Sequence, residues 1–415
     1  MSTQMQDAKS GIITDEMKAI AKIENVAPQM ILDGVSAGRI VILKNNKRTD
    51  TIPVAIGEGL KAKVSACLNS LNKNTSLDVE LDKLRVIKNA GADVVIDCSS
   101  NDLIDETRAA ILSSSKIPVG TKPIVQVGFE ALIKNNDLLL IEKHDFLLAI
   151  EKHCSDGADF ICLNCSLTKD LLDRFLKQNR ISKITDEGAI ILASWMMENN
   201  CENPLYEYFD EILEIVKPYD VTLLLSSAFK AGSTNDASDR IEVAEQIIIG
   251  ELVKRAREKD IQVMVEGVEF ASLNKIPLMI QNIKELTDFA PLYVAGAIAC
   301  DSAFGYDNFS NAIGSALAVY QGADMLKAIS STDRIGISKP AQIKEAIMGA
   351  KIAAHCGDLA KGQIDVVKQN YKVSFAGYNS DFNKQVENSL DKTVFSGVID
   401  REESLFEQLY DKYLK

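Results

Sequence analysis

Short apolar runs recur along the chain at a spacing of roughly 30 residues, the length of one strand-plus-helix unit. Eight read as strands: 62–66 (AKVSA), 93–98 (DVVIDC), 123–127 (PIVQV), 158–164 (ADFICLN), 190–195 (IILASW), 221–226 (VTLLLS), 261–266 (IQVMVE) and 291–298 (PLYVAGAI). Between them, stretches 77–89, 202–217 and 237–259 place apolar residues at i, i+3 and i+4 with charges between, which predicts amphipathic helices. Asp93, Asp159 and Asp220 stand at or just before strand starts, as turn residues do. Eight such units predict an α/β fold, a closed (β/α)8 barrel of the TIM type. The nearly unbroken hydrophobicity of the strands suits parallel strands buried on both faces. An open doubly wound sheet would call for a glycine-rich turn after the first strand, and Cys67-Leu68-Asn69-Ser70 stands there instead.

Three regions follow from this reading. Residues 1–58 form a small N-terminal domain with a short helix over 14–22 and a boundary marked by Pro53 and Gly57. Residues 59–332 hold the barrel. Residues 333–415 form a C-terminal helical region, in which 341–360 is amphipathic and Gly362 suits a helix C-terminus. Ile343, Ile347, Ala350 and Ala354 make an apolar stripe on that helix, and a two-fold dimer using it is expected.

Composition narrows the function classes. Lys and Arg number 46 against 59 Asp and Glu, a net charge of −13, so nucleic acid and anionic membranes are poor partners. No apolar run reaches the length of about 18 residues that spans a bilayer. The start MSTQMQDAKSG carries no apolar signal core, so a cytoplasmic location is expected. Eight cysteines in 415 residues are too sparse for a disulfide framework. Three histidines, His144, His153 and His355, disfavour a multi-histidine metal site.

Chemistry in such barrels sits at the C-terminal strand ends. Those ends offer Ser65 and Cys67, Asp97 with Ser99 and Ser100, Gln126, Asn164 and Cys165, Trp195, Ser226 and Ser227, Glu266 and Asp301. This is a polar mouth with carboxylates, without histidine, and without a lysine directly on a strand end. Asp97 and Glu266 are the candidate acid and base; the plainer alternative is that Asp97 organises a loop and Glu266 pairs with a nearby base. Lys230, Gly232 and Ser233 form a turn running into a helix, which either cradles an anion through backbone N–H groups or is an ordinary capped loop. Cys162 and Cys165 read as CxxC, but an odd separation on a strand sends them to opposite faces, so they are structural. His355, on the C-terminal helix, reads as a packing residue.

Several collinear stretches resemble the phosphomethylpyrimidine synthase (ThiC) family of thiamine biosynthesis. They include Gly91-Ala92-Asp93 with Asp97, Asp105-Glu106-Thr107-Arg108, Pro118-Val119-Gly120-Thr121 and Tyr219-Asp220-Val221. Further along come Glu266-Gly267, Gly305-Tyr306-Asp307, Lys351-Ile352-Ala353-Ala354-His355 and Asp358-Leu359-Ala360-Lys361-Gly362. Together the matches run across residues 3–362. The resemblance implies a barrel, a homodimer, and a radical lyase that rearranges aminoimidazole ribotide with a [4Fe–4S] cluster, S-adenosylmethionine and zinc.

The resemblance also shows what differs. The family's CxxCxxxxC triplet has no counterpart, since the last cysteine is Cys356 and no three cysteines here have that spacing. The metal histidine after Glu266 becomes Phe270, and the second aligns with Arg334; neither ligates zinc. Asn164 replaces a histidine, Ser65 an asparagine and Val125 a tyrosine. The phosphate-binding turn SRGG becomes Thr185-Asp186-Glu187-Gly188, and an Asp and Arg beyond it become Ser227 and Lys230. Glu266, Tyr293, Gly188 and Gly232 are kept. The expectation is a cluster-less paralogue with no cofactor, whose mouth binds a small polar or phosphorylated heterocycle through Ser65, Ser99, Asn164, Gly188, Lys230, Gly232, Ser233 and Tyr293, or which partners an active synthase. The alternatives are the family's lyase activity with a cluster supplied by a partner, and a non-radical barrel enzyme using Asp97 and Glu266.

Overall fold

The computed structural model describes residues 2–68, 76–100, 102–135, 137–378 and 382–392. The chain divides into two units, 1–363 and 364–415. In the first, strands β1 (Ile40–Leu43) and β2 (Val54–Gly57) form an antiparallel hairpin. Eight parallel strands then close a barrel: β3 (Lys63–Leu68), β4 (Val94–Asp97), β5 (Val119–Thr121), β6 (Phe160–Leu163), β7 (Thr222–Leu225), β8 (Val263–Gly267), β9 (Leu292–Val294) and β10 (Met325–Lys327). The last strand pairs with the first through Met325↔Lys63 and Lys327↔Ser65. This is the TIM-type barrel that the period implied.

The count of eight holds, but three assignments change. The run 123–127 begins the helix Pro123–Asn135, and the strand lies upstream as the three residues of β5. Proline suits a first helical turn, where its missing N–H costs no bond. Gly120 in β5 is required by space, because a Cβ there would fall 2.1 Å from the Phe160 ring. The run 190–195 lies in the helix Glu187–Asn199, which Asp186 caps by accepting from the Ala189 N–H at 3.1 Å. Gly188, Ala189, Leu192, Ala193, Trp195 and Met196 are all buried there, so the run lacks the polar face that marks a helix. The third change is β10, which the sequence reading passed over. Trp195 accordingly lies outside the barrel, where its indole N–H donates to the Ile141 carbonyl at 2.9 Å.

The predicted helices fall close to expectation. They are Asp15–Glu24, with Thr14 as its cap, Leu77–Asn89, Pro204–Glu207 followed by Phe209–Val216, Arg240–Glu258 and Pro340–Ala360. Gly362 takes a left-handed φ of 76° just past the last of these.

The N-terminal segment does two jobs. Helices Gln4–Lys9, Asp15–Glu24 and Pro28–Ser36 bury Met5, Met17, Ile20, Ile31 and Val35 against Ile40 and Ile42 of β1. The other face of the hairpin, Val41, Leu43 and Ile56, enters the barrel interior beside Val94, Phe160, Leu224, Met264 and Met325. The hairpin therefore stoppers the N-terminal end of the barrel. Gln262 fixes it by accepting from the Ile42 N–H at 2.7 Å and donating to the Ile42 carbonyl at 3.2 Å.

The stripe expected at a dimer interface is covered within the chain. Ile343, Ile347, Ala350 and Ala354 are buried, and helix Pro340–Ala360 packs on helix Asp307–Gln321 closely enough that a Cβ on Gly357 would meet Val319 at 2.5 Å. In the second unit, helices Ile364–Tyr378 and Phe382–Asn388 pack on one another. The rest of the region expected to be helical, beyond residue 392, lies outside the described residues. Among the described residues no helix is long and apolar enough to cross a membrane.

Candidate functional site

Alternation along each strand decides which side chains reach the mouth. Ile96, Cys98, Cys162, Leu224, Met264, Tyr293 and Met325 face the interior. One step further along the same faces stand Cys67, Lys122, Asn164, Ser226, Glu266 and Lys327. Cys165, by contrast, joins the outer core, so the two cysteines of the CxxC diverge.

Of the expected site residues, Glu266, Asn164, Lys230, Ser65 and Tyr293 converge on this mouth. Ser65 donates its hydroxyl to the Tyr293 oxygen at 3.0 Å, and burial pushes the Tyr293 phenol well above its ordinary pKa. Asn164 donates to the Ser226 carbonyl at 3.2 Å. Gly188 opens the helix Glu187–Asn199 against it, since a Cβ there would lie 2.8 Å from the Asn164 Oδ1. Asp97 does not join them. It shares the outward face of β4 with Val95, accepts from the Ser99 N–H at 2.9 Å, and burial raises its pKa. Asp97 and Glu266 thus lie on opposite faces of the barrel wall. Ser99 is buried with its hydroxyl oxygen unpartnered, as is that of Ser226.

The mouth holds lysines directly at strand ends, contrary to the sequence reading. Lys122 follows β5 and ion-pairs with Asp186 at 3.0 Å. Lys230 stands 3.7 Å from Asp186 and 3.6 Å from Glu266. Burial works against both ammonium groups, but the carboxylates outweigh it: Asp186 and Glu266 lift Lys122, and Glu266 and Asp186 lift Lys230. Burial likewise opposes the Asp186 charge, yet the two lysines hold that carboxyl below the usual range. Two cations and two anions therefore form one balanced group, and both lysines are protonated at neutral pH. They act as charges and donors, not as nucleophiles. Lys327 at the end of β10 is a third cation, raised despite burial by Cys67 and Asp333.

Lys230 is placed by a buried carboxylate on helix Arg240–Glu258. Glu245 accepts from Ser166 Oγ at 2.7 Å, Ala228 N at 2.7 Å, Phe229 N at 3.0 Å and the Ser227 hydroxyl. This fixes residues 227–229, from which Lys230 returns to donate to the Ser227 carbonyl at 3.0 Å. The turn beyond it is already filled by the chain itself. Asp301 accepts from Ser233 Oγ at 3.3 Å and Thr234 N at 3.0 Å, while the Gly232 N–H donates to Ser182 Oγ at 3.0 Å.

A cavity of about 390 Å³ opens beside β3 and β10, lined among others by Cys67, Lys83, Lys327, Ser330, Asp333 and Arg334. At its rim the two positions that the resemblance assigns to metal histidines do come together. The Arg334 guanidinium lies 5.3 Å from the centre of the Phe270 ring and 5.0 Å from that of Phe304. It pairs with buried Asp307, its Nε–H donating to the carboxylate at 2.8 Å. A cation–π contact occupies the place of a ligand pair, and neither side chain carries a metal-binding donor. Among the described residues no group of three histidine, cysteine or acidic side chains could hold a metal ion.

Sequence reasoning missed Lys122 and Lys327, and took Asp186 only as a departure that repels phosphate. The available signal was the inward parity of each strand continued two residues past its last apolar position. It points elsewhere for Lys122 when the strand is placed at 123–127, and for Lys327 when β10 goes unrecognised.

Comparison with known proteins places these observations in a family. Phosphomethylpyrimidine synthase of Desulforamulus reducens is 40% identical over 389 residues, covering 94% of this chain and 90% of that protein. The protein of the same name from Syntrophus aciditrophicus is 38% identical over 408 residues, covering 98% and 95%. Among solved structures, a dihydropteroate synthase from Coxiella burnetii in complex with pteroic acid is similar at a TM-score of 0.44 and 12% identity, covering 77% of this chain and 99% of its own. The Radical SAM ThiC family matches residues 3–408. With that span, and with identity near 40% to full-length relatives, the chain belongs to the Radical SAM ThiC family.

Proposed function

We propose that this chain is a divergent ThiC-family protein linked to thiamine pyrimidine biosynthesis, which binds a small polar heterocycle in its barrel mouth without radical chemistry. The observation that carries the reading is the balanced group of Lys122, Asp186, Lys230 and Glu266 at the strand ends. It stands where the resemblance puts a phosphate-binding arginine turn. A lysine engaged by two carboxylates has little charge left over for a phosphate, and it lacks the bidentate fork of arginine. Glu266, Asn164, Ser65 and Tyr293 still offer hydrogen-bonding groups to a heterocycle. The eight cysteines, with no CxxCxxxxC spacing, support the loss of the cluster. The Phe270–Arg334 contact supports the loss of the metal.

Calorimetry tests the ligand. Aminoimidazole ribotide and its phosphate-free riboside are titrated into the full chain. The riboside is expected to bind at least as tightly as the ribotide, and Glu266→Gln is expected to weaken either by about tenfold or more. Absence of heat with both compounds overturns the reading. Iron and sulfide analysis after anaerobic reconstitution tests the chemistry: near-stoichiometric cluster would reinstate a radical lyase.

A further inference from the structure

Two cysteines that the proposed function does not use meet at the mouth. Cys67 on β3 is in register with Ile96 of β4, and Cys98 lies two residues beyond Ile96 on the same inward face. The backbone joins them as well, since the Cys98 N–H donates to the Leu68 carbonyl at 2.9 Å. Cys98 is part of the interior cluster against which Cys67 packs. The two are not equivalent. Cys67 is half-buried and lines the 390 Å³ cavity together with Lys327, while Cys98 is buried behind it.

We propose that Cys67 and Cys98 form a redox-active thiol pair, in which Cys67 is the thiol that reacts with a small disulfide entering the cavity and Cys98 is the thiol that resolves the adduct. The Cys67 thiolate attacks one sulfur of the disulfide RSSR; a new S–S bond forms, the RS–SR bond breaks, and RS⁻ leaves and takes up a proton. Cys98 then loses its proton to water and attacks the Cys67 sulfur, displacing the second RS⁻. The protein gives up two electrons and becomes a Cys67–Cys98 disulfide, and the reagent is reduced to two thiols.

The surroundings favour this division of labour. The neighbouring Cys98 thiol is the largest influence on Cys67. With Lys327 and Lys122 it outweighs burial and Asp333 and brings the thiol down to about 7. Cys98 is pushed the other way, by the Cys67 thiol beside it and by burial. An attacking thiol works best with a pKa near the ambient pH. Cys201 is the internal control. It is also half-buried, but burial raises its pKa.

Hydroxyethyl disulfide is the probe, applied to the full chain at neutral pH, with acid trapping and peptide mass mapping. The exposed Cys300 and Cys356 react too and are told apart by their peptides. Cys67 is expected to be modified at least about tenfold faster than Cys201. The wild-type chain is expected to proceed to a Cys67–Cys98 disulfide, while Cys98→Ser stops at the Cys67 adduct and Cys67→Ser leaves Cys98 untouched. Equal rates at Cys67 and Cys201, or a Cys67 adduct that persists in the wild-type chain, would overturn the proposal. The wild-type map alone decides both points should either variant misfold.

Discussion

Asp220 shows how a single buried acid gives the whole fold a pH response. It follows the turn Lys217–Tyr219 in a left-handed conformation with φ of 53°, and its carboxylate accepts from the Gln4 N–H at 2.9 Å. Burial lifts its pKa to about 7, against an unfolded value of about 3.9. Between those values the native state binds the proton and the unfolded chain does not, so stability falls as pH rises from 5 to 8. Asparagine also tolerates this conformation and can accept the same bond. Asp220→Asn is therefore expected to flatten the trend. Urea titrations at pH 5 and pH 8 should show the wild-type chain losing about 2–3 kcal/mol more than the variant over that interval. A parallel decline in both would refute the assignment. Gly120 is a residue of the opposite kind, fixed by space and not charge. Gly120→Ala drives a methyl into the Phe160 ring, and a cost of about 1–3 kcal/mol is expected in the same assay, with Gly336→Ala, which meets no atom within 4 Å, as the comparison.

Among elements, the hairpin β1–β2 reaches furthest beyond its own neighbourhood, because one face belongs to the N-terminal helices and the other to the barrel. Leu43→Ala is expected to destabilise the barrel itself by about 2–5 kcal/mol, as a core truncation does. Hydrogen exchange at β6 and β7 should report it; an effect confined to residues before 60 would show that the hairpin merely leans on the barrel. This hairpin also shows where sequence reading stops. Its strands are four residues each, and IVIL and VAIG alternate between two different cores, so no solvent face gives the pattern away. The barrel strands that were read correctly, such as β6, β7 and β8, are apolar runs flanked by polar helices. Strands β5 and β10 have three residues each, too few to set a period. The mouth was legible to the same extent. Glu266 and Asn164 came directly from strand ends, whereas the meeting of Lys122, Lys230 and Asp186 depends on barrel closure, which no local pattern encodes.

At the scale of the whole molecule, the homodimer remains an expectation with a relocated surface. The stripe on helix Pro340–Ala360 is buried within the chain, but its neighbour Asp307–Gln321 turns Phe309, Ile313 and Tyr320 to solvent at helical spacing. Light scattering at micromolar concentration is expected to give about 91 kDa, twice the 45.4 kDa of the chain, and Phe309→Glu with Ile313→Glu is expected to lower it. A monomer mass for the unaltered protein refutes the dimer.

Barrel closure carries a consequence for synthesis. The sheet is sealed by three residues, Met325–Lys327, which must find a strand that left the ribosome more than 250 residues earlier. Until then β3 and β9 are open edges, each displaying backbone groups to any passing strand. A pause or a premature stop shortly before residue 325 would therefore leave a nearly complete protein that is a template for aggregation, and slow elongation through that stretch would lengthen its dependence on chaperones.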